Sequence, residues 1–363
     1  MSKDAKSRRS LIVNAVLVAV GFALLALAVW TNREKLREVF QRPVDFRLFG
    51  VAFAIYMTAL VATFFRWYFL VRAVGLPFRV LDAVKLGFIG NVFNLVVPGA
   101  VGGDVIKAVF LARARPHAKA SAIASMVIDR ILGLAGLFLL AGVAGIFALG
   151  KANAQVRILI GVVWLALVAG LTGLFILFTP QLYPLLDRMT KRRAKLAKVV
   201  KELESAASAY RSKAWLVVAC LVASSCIHSL YVVSFYAVSR AIFSDIPTFA
   251  EHFVIVPLVL FTTAVPLPFG ALGLTENASG VLFALGRSGA TAAAANGAIA
   301  MMAFRTIMYA GGLVSLIVYL SNMRWVRELT NPEATASIEA DDPLLELNPA
   351  VSDPHEDPAP VEP

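Results

Sequence analysis

Arg66, Asp129, Arg130, His228 and Arg305 stand inside long apolar runs of this sequence, and Asp104, Lys107 and Glu276 stand beside two glycine-rich interruptions of such runs. Ionisable side chains are expensive in hydrocarbon and mark ion or substrate paths by default. Arginine presents a planar fork of donors that fits phosphate oxygens, so Arg66, Arg130 and Arg305 point to an anionic guest. Arg130 follows the first interruption and Arg305 the second by a comparable distance, which predicts that both face one central cavity. Half-helices beginning near Asp104 and Glu276 would add backbone amides of favourable polarity.

Each of these residues also has a purely structural use. Asp104 and Glu276 stand where N-caps belong and can serve the amides of their own helices. Asp129 and Arg130 are adjacent, about 100° apart around a helix, so each pairs with another element. Arg66 and Arg305 are the candidate partners of Asp129 in a buried ion pair. His228 is either a hydrogen-bonded interior histidine or a proton relay. Asn91 and Asn94 either line the cavity or bond across helices.

The interruptions themselves are VPGAVGGD, at Val97 to Asp104, and LPFGALGLTE, at Leu267 to Glu276. Their bend residues are Pro98, Gly99, Gly102 and Gly103 in the first and Pro268, Gly270 and Gly273 in the second. Non-helical backbone survives at membrane depth only where protein or a wet cavity surrounds it. Paired interruptions in corresponding halves are the sequence mark of a transporter-type site near the bilayer midplane.

The elements that must position these residues are apolar helices. The chain has 363 residues, 59% hydrophobic, with a mean hydropathy of +0.76, well above the roughly 45–50% apolar content of soluble domains. Apolar segments at 11–30, 48–71, 118–149, 156–178, 213–240 and 292–320 are each long enough to cross hydrocarbon. Between the second and third lies the broken segment 80–113, and between the fifth and sixth lies 247–286. From Asp104 to Arg113 there is only roughly 15 Å of helix, so a re-entrant hairpin fits better than two further spans. The expected fold is an all-α polytopic membrane protein, six transmembrane helices plus two re-entrant helical hairpins, arranged as inverted repeats over 11–149 and 156–320.

Charge sets the expected orientation. Net charge is +11, but residues 331–363 hold nine acidic side chains and seven prolines with no Lys or Arg, which leaves +20 on residues 1–330. Residues 1–330 are expected to form the transmembrane domain and 331–363 a disordered acidic tail in the cytoplasm. The loop 182–213 is strongly basic, with nine Lys and Arg between 187 and 213, and reads as cytoplasmic and attractive to anionic lipid. Both termini then lie inside a bacterial inner membrane, the first apolar run acting as an anchor rather than a cleaved signal. The segment 31–47, with Arg33, Lys35, Arg37, Arg42 and Arg47, objects by falling outside.

Cys220 and Cys226 lie in one apolar segment, and the four histidines lack metal-ligand spacing, so neither a disulfide framework nor a metal is expected. No cofactor is expected. The basic run has no accompanying nucleic-acid motif, and no phosphate-binding loop for nucleotides occurs. The expected partners are membrane lipids with anionic head groups, with self-association left open.

Taken together, Asn91 and Asn94 before VPGAVGGDVIKA, the IDR at Ile128 to Arg130, and PLPFGALGLTE at Pro266 to Glu276 resemble the flippase-like family that includes the transmembrane region of lysylphosphatidylglycerol synthase, over roughly residues 10–322. That resemblance implies an inner-membrane protein with paired re-entrant elements that moves a lipid between leaflets. It departs from the synthase in carrying an acidic tail after the last span instead of a soluble aminoacyl-transfer domain, so it is not expected to make the lysyl lipid.

The resulting expectation is a lipid flippase or transporter, without catalytic residues, that binds its cargo through Arg66, Asn91, Asn94, Asp104, Lys107, Asp129, Arg130, Glu276 and Arg305. The alternative is an intramembrane transferase on polyprenyl-phosphate-linked sugars or another lipid, with Asp104, Asp129 or Glu276 as base or metal ligand.

Overall fold

The computed structural model describes residues 3–41, 44–96, 102–114, 119–148, 154–184, 188, 194–265, 267–285 and 289–324. Pro98 and Gly99 of the first tip, Pro266, and the acidic tail lie outside the described residues. Among the described residues the chain is helical throughout: α1 (Lys3–Thr31), α2 (Arg33–Phe40), α3 (Phe46–Ala73), α4 (Val80–Val96), α5 (Gly102–Ala114), α6 (Lys119–Ala148), α7 (Ala154–Phe178), α8 (Ala194–Tyr210), α9 (Ala214–Ile242), α10 (Phe249–Phe261), α11 (Leu274–Ala284) and α12 (Ala290–Ser321).

Among the described residues five helices are long and apolar enough to cross a membrane, and α1 with α2 makes a sixth if that bent pair is one span. The bend between Val16–Thr31 and Arg33–Phe40 is 70°. It gives the basic segment after the first apolar run a shape. The segment folds as an amphipathic helix with no buried residue, turned aside from α1, as a helix lying along an interface would be.

The core sits where α3, α9 and α12 meet. Tyr56, Leu60 and Phe64 of α3 pack there with Val232, Phe235 and Val238 of α9 and with Met301 and Phe304 of α12. Large apolar side chains on the outer faces, including Ile158, Leu165 and Phe175 of α7 and Leu313 and Ile317 of α12, stay exposed, as lipid-facing surfaces require.

Packing partners recur in exchanged form between the two halves. α6 lies on α10 as α12 lies on α4, α3 packs on α4 as α9 packs on α10, and α3 and α9 pack on each other. α1 breaks the pattern by resting on α11, whereas α7 rests on α6 and α8.

α4 and α5 form a hairpin whose arms touch backbone to backbone. A Cβ built on Gly103 would lie 1.9 Å from the Gly90 carbonyl oxygen, so glycine is required at that crossing. Helix α5 begins at Gly102, two residues before Asp104. The reason is that Asn94, on the opposite arm, accepts a hydrogen bond from the Gly103 amide at 2.9 Å. Asp104 stands in the first turn of α5, and among the described residues its carboxylate is engaged by Lys107 and Arg130.

The second tip is built differently. Phe269, Gly270 and Ala271 have φ of 56°, 66° and 56°, a left-handed run that costs a non-glycine residue roughly 1–2 kcal/mol. α11 then starts with the Gly273 amide donating to Glu276 Oε2 at 2.7 Å. Here the acidic residue does serve its own helix start.

Candidate functional site

A cavity of about 320 Å³ opens between α3, α4, α5, α6, α9 and α10. Arg66, Asn91, Asn94, Asp104, Lys107, Asp129 and Arg130 all line it, as does Gly270 of the second tip. These seven side chains come from four helices and from positions up to 64 residues apart, yet they converge on one space. The hairpin α4–α5 delivers four of them from its two arms, and α3 and α6 deliver the rest.

Within the cavity the charges are cross-linked. Asp104 is shared: Lys107 Nζ lies 2.7 Å from Oδ1, and Arg130 Nε donates to Oδ2. Arg66 Nε donates to Asp129 Oδ1 at 2.8 Å, and its Nη1 donates to Ser224 Oγ at 2.8 Å. Of the two candidates for Asp129, Arg66 is therefore the partner and Arg305 is not. The Lys107 ammonium also lies 5.1 Å from the centre of the Trp67 ring, a cation–π contact that helps hold it in place.

Exposure separates the cations. The Arg66 side chain is 8% exposed and Arg305 is 5%, whereas Arg130 is 39% exposed. An incoming anion would meet Arg130 first.

Asn91 and Asn94 do both things foreseen for them. Asn91 Nδ2 donates to Ser315 Oγ of α12 at 2.9 Å, Asn94 caps α5, and both still line the cavity.

Arg305 and Glu276 do not share this space, contrary to the expectation of one cavity for Arg130 and Arg305. They lie behind the second tip, in a separate apolar cleft with Phe22, Leu25 and Leu272. Arg305 Nε donates to Glu276 Oε1, its Nη2 to Thr275 Oγ1 and its Nη1 to the Phe269 carbonyl oxygen at 2.6 Å. Every nitrogen of this guanidinium is occupied in bracing the left-handed turn. Phe304 stands before Arg305 as Asp129 stands before Arg130, and its ring packs into the core, so the second half has no equivalent of the Arg66–Asp129 pair at that position.

Ser224, Tyr56, Thr63 and Tyr231 belong to the site and carry no charge that would have marked them in the sequence. One signal was available. Ser224, His228 and Tyr231 recur at helical spacing, which puts them on one face of α9. His228 Nε2 donates to the Gly133 carbonyl oxygen at 3.0 Å.

Among the described residues no group of three or more His, Cys, Asp or Glu side chains could hold a metal ion.

The chain is similar to the UPF0104 membrane protein of Pyrococcus horikoshii, at 25% identity over 150 residues. The match spans 40% of this chain and 44% of that relative, less than half of each. No solved structure matches. Residues 12–325 match the family described as the lysylphosphatidylglycerol synthase TM region. With several apolar helices of spanning length, and with that match covering most of its length, the chain is a membrane protein of the lysylphosphatidylglycerol synthase transmembrane-region family.

Proposed function

We propose that the protein moves an anionic, phosphate-bearing lipid between leaflets, the head group passing through the polar cavity while the acyl chains stay in the bilayer. The observation that carries this reading is the charge balance of the cavity wall. Arg66, Lys107 and Arg130 face Asp104 and Asp129, three cations against two carboxylates, leaving one positive charge with Arg130 its most open member. A phosphodiester carries one negative charge and offers oxygens that match the guanidinium fork.

The architecture fits alternating access. α5 has 13 residues, α10 has 13 and α11 has 11, so none reaches across a hydrocarbon core of about 30 Å at 1.5 Å per residue. We take α4–α5 and α10–α11 as re-entrant hairpins of two repeats, 11–149 and 156–320, inserted in opposite senses. The exchanged packing of α6 on α10 and α12 on α4 supports this. We assign the basic loop 182–213 and both termini to the cytoplasmic side of a bacterial inner membrane, an orientation that the positive-inside rule supports.

Purified protein in liposomes, with a fluorescent anionic lipid and a leaflet-selective quencher, tests the reading. Wild type exposes inner-leaflet lipid to the quencher, and Arg130→Ala slows this by at least about tenfold, the loss of one charge-assisted contact. Equal rates for the two proteins would overturn it. Lipid mass spectrometry of a deletion strain separates transport from synthesis: a transporter's loss changes leaflet distribution, whereas disappearance of a lipid species would mark a transferase.

A further inference from the structure

Three contacts bring a set of basic side chains to one end of the helical layer. α12 runs antiparallel to α4, since a Cβ on Gly312 would meet Leu95 while Asn91 Nδ2 donates to Ser315 Oγ at 2.9 Å. α12 therefore finishes toward the end where α4 begins. α3 finishes at that end as well, with the Trp67 ring centre 5.1 Å from that of Phe78, two residues before α4. The end of α8 returns there: Tyr210 Oη donates to the Leu70 carbonyl oxygen at 2.9 Å, and Lys213 Nζ to that of Ala73 at 2.7 Å.

Arg72, Arg79, Lys201, Arg211 and Arg324 are exposed along this rim. The carboxylates among the described side chains of the same segments are Asp82 and Glu204, both partly buried. Positive charge is therefore in excess, and beyond Arg324 the sequence leads into residues 331–363, with nine acidic side chains and no Lys or Arg. Four of the nine, Glu339, Asp341, Asp342 and Glu346, fall within eight residues. Glu339 follows Arg324 by fifteen residues, a reach of up to roughly 50 Å of extended chain, whereas packed helix axes are only about 8–10 Å apart. A single exposed ion pair holds little, but a tethered run of carboxylates meets the rim at high effective concentration.

We propose that the acidic segment 339–346 docks on this rim within its own chain, its carboxylates against Arg72, Arg79, Lys201 and Arg211. The proposal needs neither the lipid-transport reading nor the orientation in the membrane, because it rests on which elements finish at one end of the molecule and on the charge they carry. An anionic leaflet would be attracted to the same cations. The acidic segment is the favoured occupant because it is tethered beside the rim through Arg324, so lipid head groups must compete with carboxylates already in place. Docked, the segment screens the basic end from anionic surfaces.

Disulfide cross-linking of the full chain, in a background of Cys220→Ala and Cys226→Ser, tests the docking. Ser212→Cys stands on the rim between Arg211 and Lys213, and Ala340→Cys stands in the acidic segment. In phosphatidylcholine nanodiscs at low salt, oxidation joins the two positions within one chain. It does so at least about tenfold faster than in a protein that also carries Glu339→Gln, Asp341→Asn, Asp342→Asn and Glu346→Gln. The same loss follows from Arg72→Gln, Arg79→Gln and Lys201→Gln together, and from about 1 M salt, where charges are screened beyond about 3 Å. The acidic-segment variant alters no described helix, so the test stands even if the rim variant fails to fold. A neutralised segment that cross-links as fast as the charged one, or a cross-link formed chiefly between chains, overturns the proposal. In phosphatidylglycerol nanodiscs the rate holds within about twofold; a fall to the neutralised rate would assign the rim to lipid and overturn the proposal as well.

Discussion

Arg130 Nε donates to Asp104 across a gap of 26 residues, tying the last long helix of the first half to the first turn of α5. Arg305 makes the same Nε contact with Glu276 across 29 residues in the second half. The two pairs have one design and two environments. Asp104 and Arg130 line a polar cavity, with Arg130 39% exposed, whereas Glu276 is fully buried and Arg305 is spent on bracing backbone.

One kind of change at the two pairs therefore gives different readouts. Glu276→Gln keeps an acceptor for the Gly273 amide but leaves the Arg305 charge buried without a carboxylate, at a cost of about 3–5 kcal/mol. Asp104→Asn leaves Arg130 beside an open cavity and costs less folding energy, and its effect falls on lipid transport. Thermal unfolding in detergent, set beside the liposome rate of each variant, checks the contrast. A larger drop in melting temperature for Asp104→Asn would contradict it.

The hairpin α4–α5 closes on a glycine. Gly103→Ala must push its methyl into the Gly90 carbonyl, so the arms separate and the protein loses about 1–3 kcal/mol or more. Gly161, on the outer face of α7, has nothing within 4 Å of its Cβ position. Gly161→Ala is expected to be neutral, or to stabilise by up to about 1 kcal/mol through helix propensity. Melting temperatures of the two variants measure the difference directly.

Asn94 replaces a local cap with one supplied from the opposite arm. Asn94→Ala is expected to cost about 1 kcal/mol, as loss of an N-cap does, and Asn94→Asp to cost less because its carboxylate still accepts from the Gly103 amide. Unfolding midpoints in a denaturant series give the order, and equal losses for both variants would contradict the capping role.

The Arg66–Asp129 pair is buried and crosses from α3 to α6. Asp129→Ala strands a guanidinium in the core, at about 3–5 kcal/mol, whereas the double change Arg66→Met with Asp129→Leu recovers most of that loss, since apolar replacement of a whole buried pair is close to neutral. A double change as unstable as Asp129→Ala would show that Arg66 stabilises the fold mainly by other contacts.

Much of the architecture is legible in the residue types and their spacing, because hydrocarbon imposes rules that soluble folds do not obey. Among the described residues the five helices long and apolar enough to cross a membrane, and the bent α1–α2 pair, lie where apolar runs of sufficient length lie. The second tip falls on its proline and glycines, and the cavity gathers seven of the charged and amide side chains that stand out in apolar surroundings. Depth behind the tip is not legible in the same way. Arg305 and Arg130 occupy matching places in the two halves, but only tertiary packing determines that one guanidinium turns toward three backbone and side-chain acceptors and the other toward a void. The role of Asn94 is hidden for a related reason, since a cap from a neighbouring arm leaves no spacing signature in the helix it serves. Uncharged members such as Ser224 and Tyr231 give only helical periodicity, which interior-facing residues share whether or not they touch a site.

The central claim is that the pocket bounded by Arg130, Asp104 and Gly270 is wet and takes an anionic head group from the bilayer. A single cysteine at Thr63, which lines the pocket, in a background of Cys220→Ala and Cys226→Ser, tests it most directly, with Val222→Cys on the exposed apolar face of α9 as control. The account predicts that a membrane-impermeant thiol reagent labels Thr63→Cys, that anionic lipid slows this labelling and zwitterionic lipid does not, and that Val222→Cys stays unlabelled. Thr63→Cys sealed from the reagent, or labelled at one rate whatever the lipid charge, would contradict it.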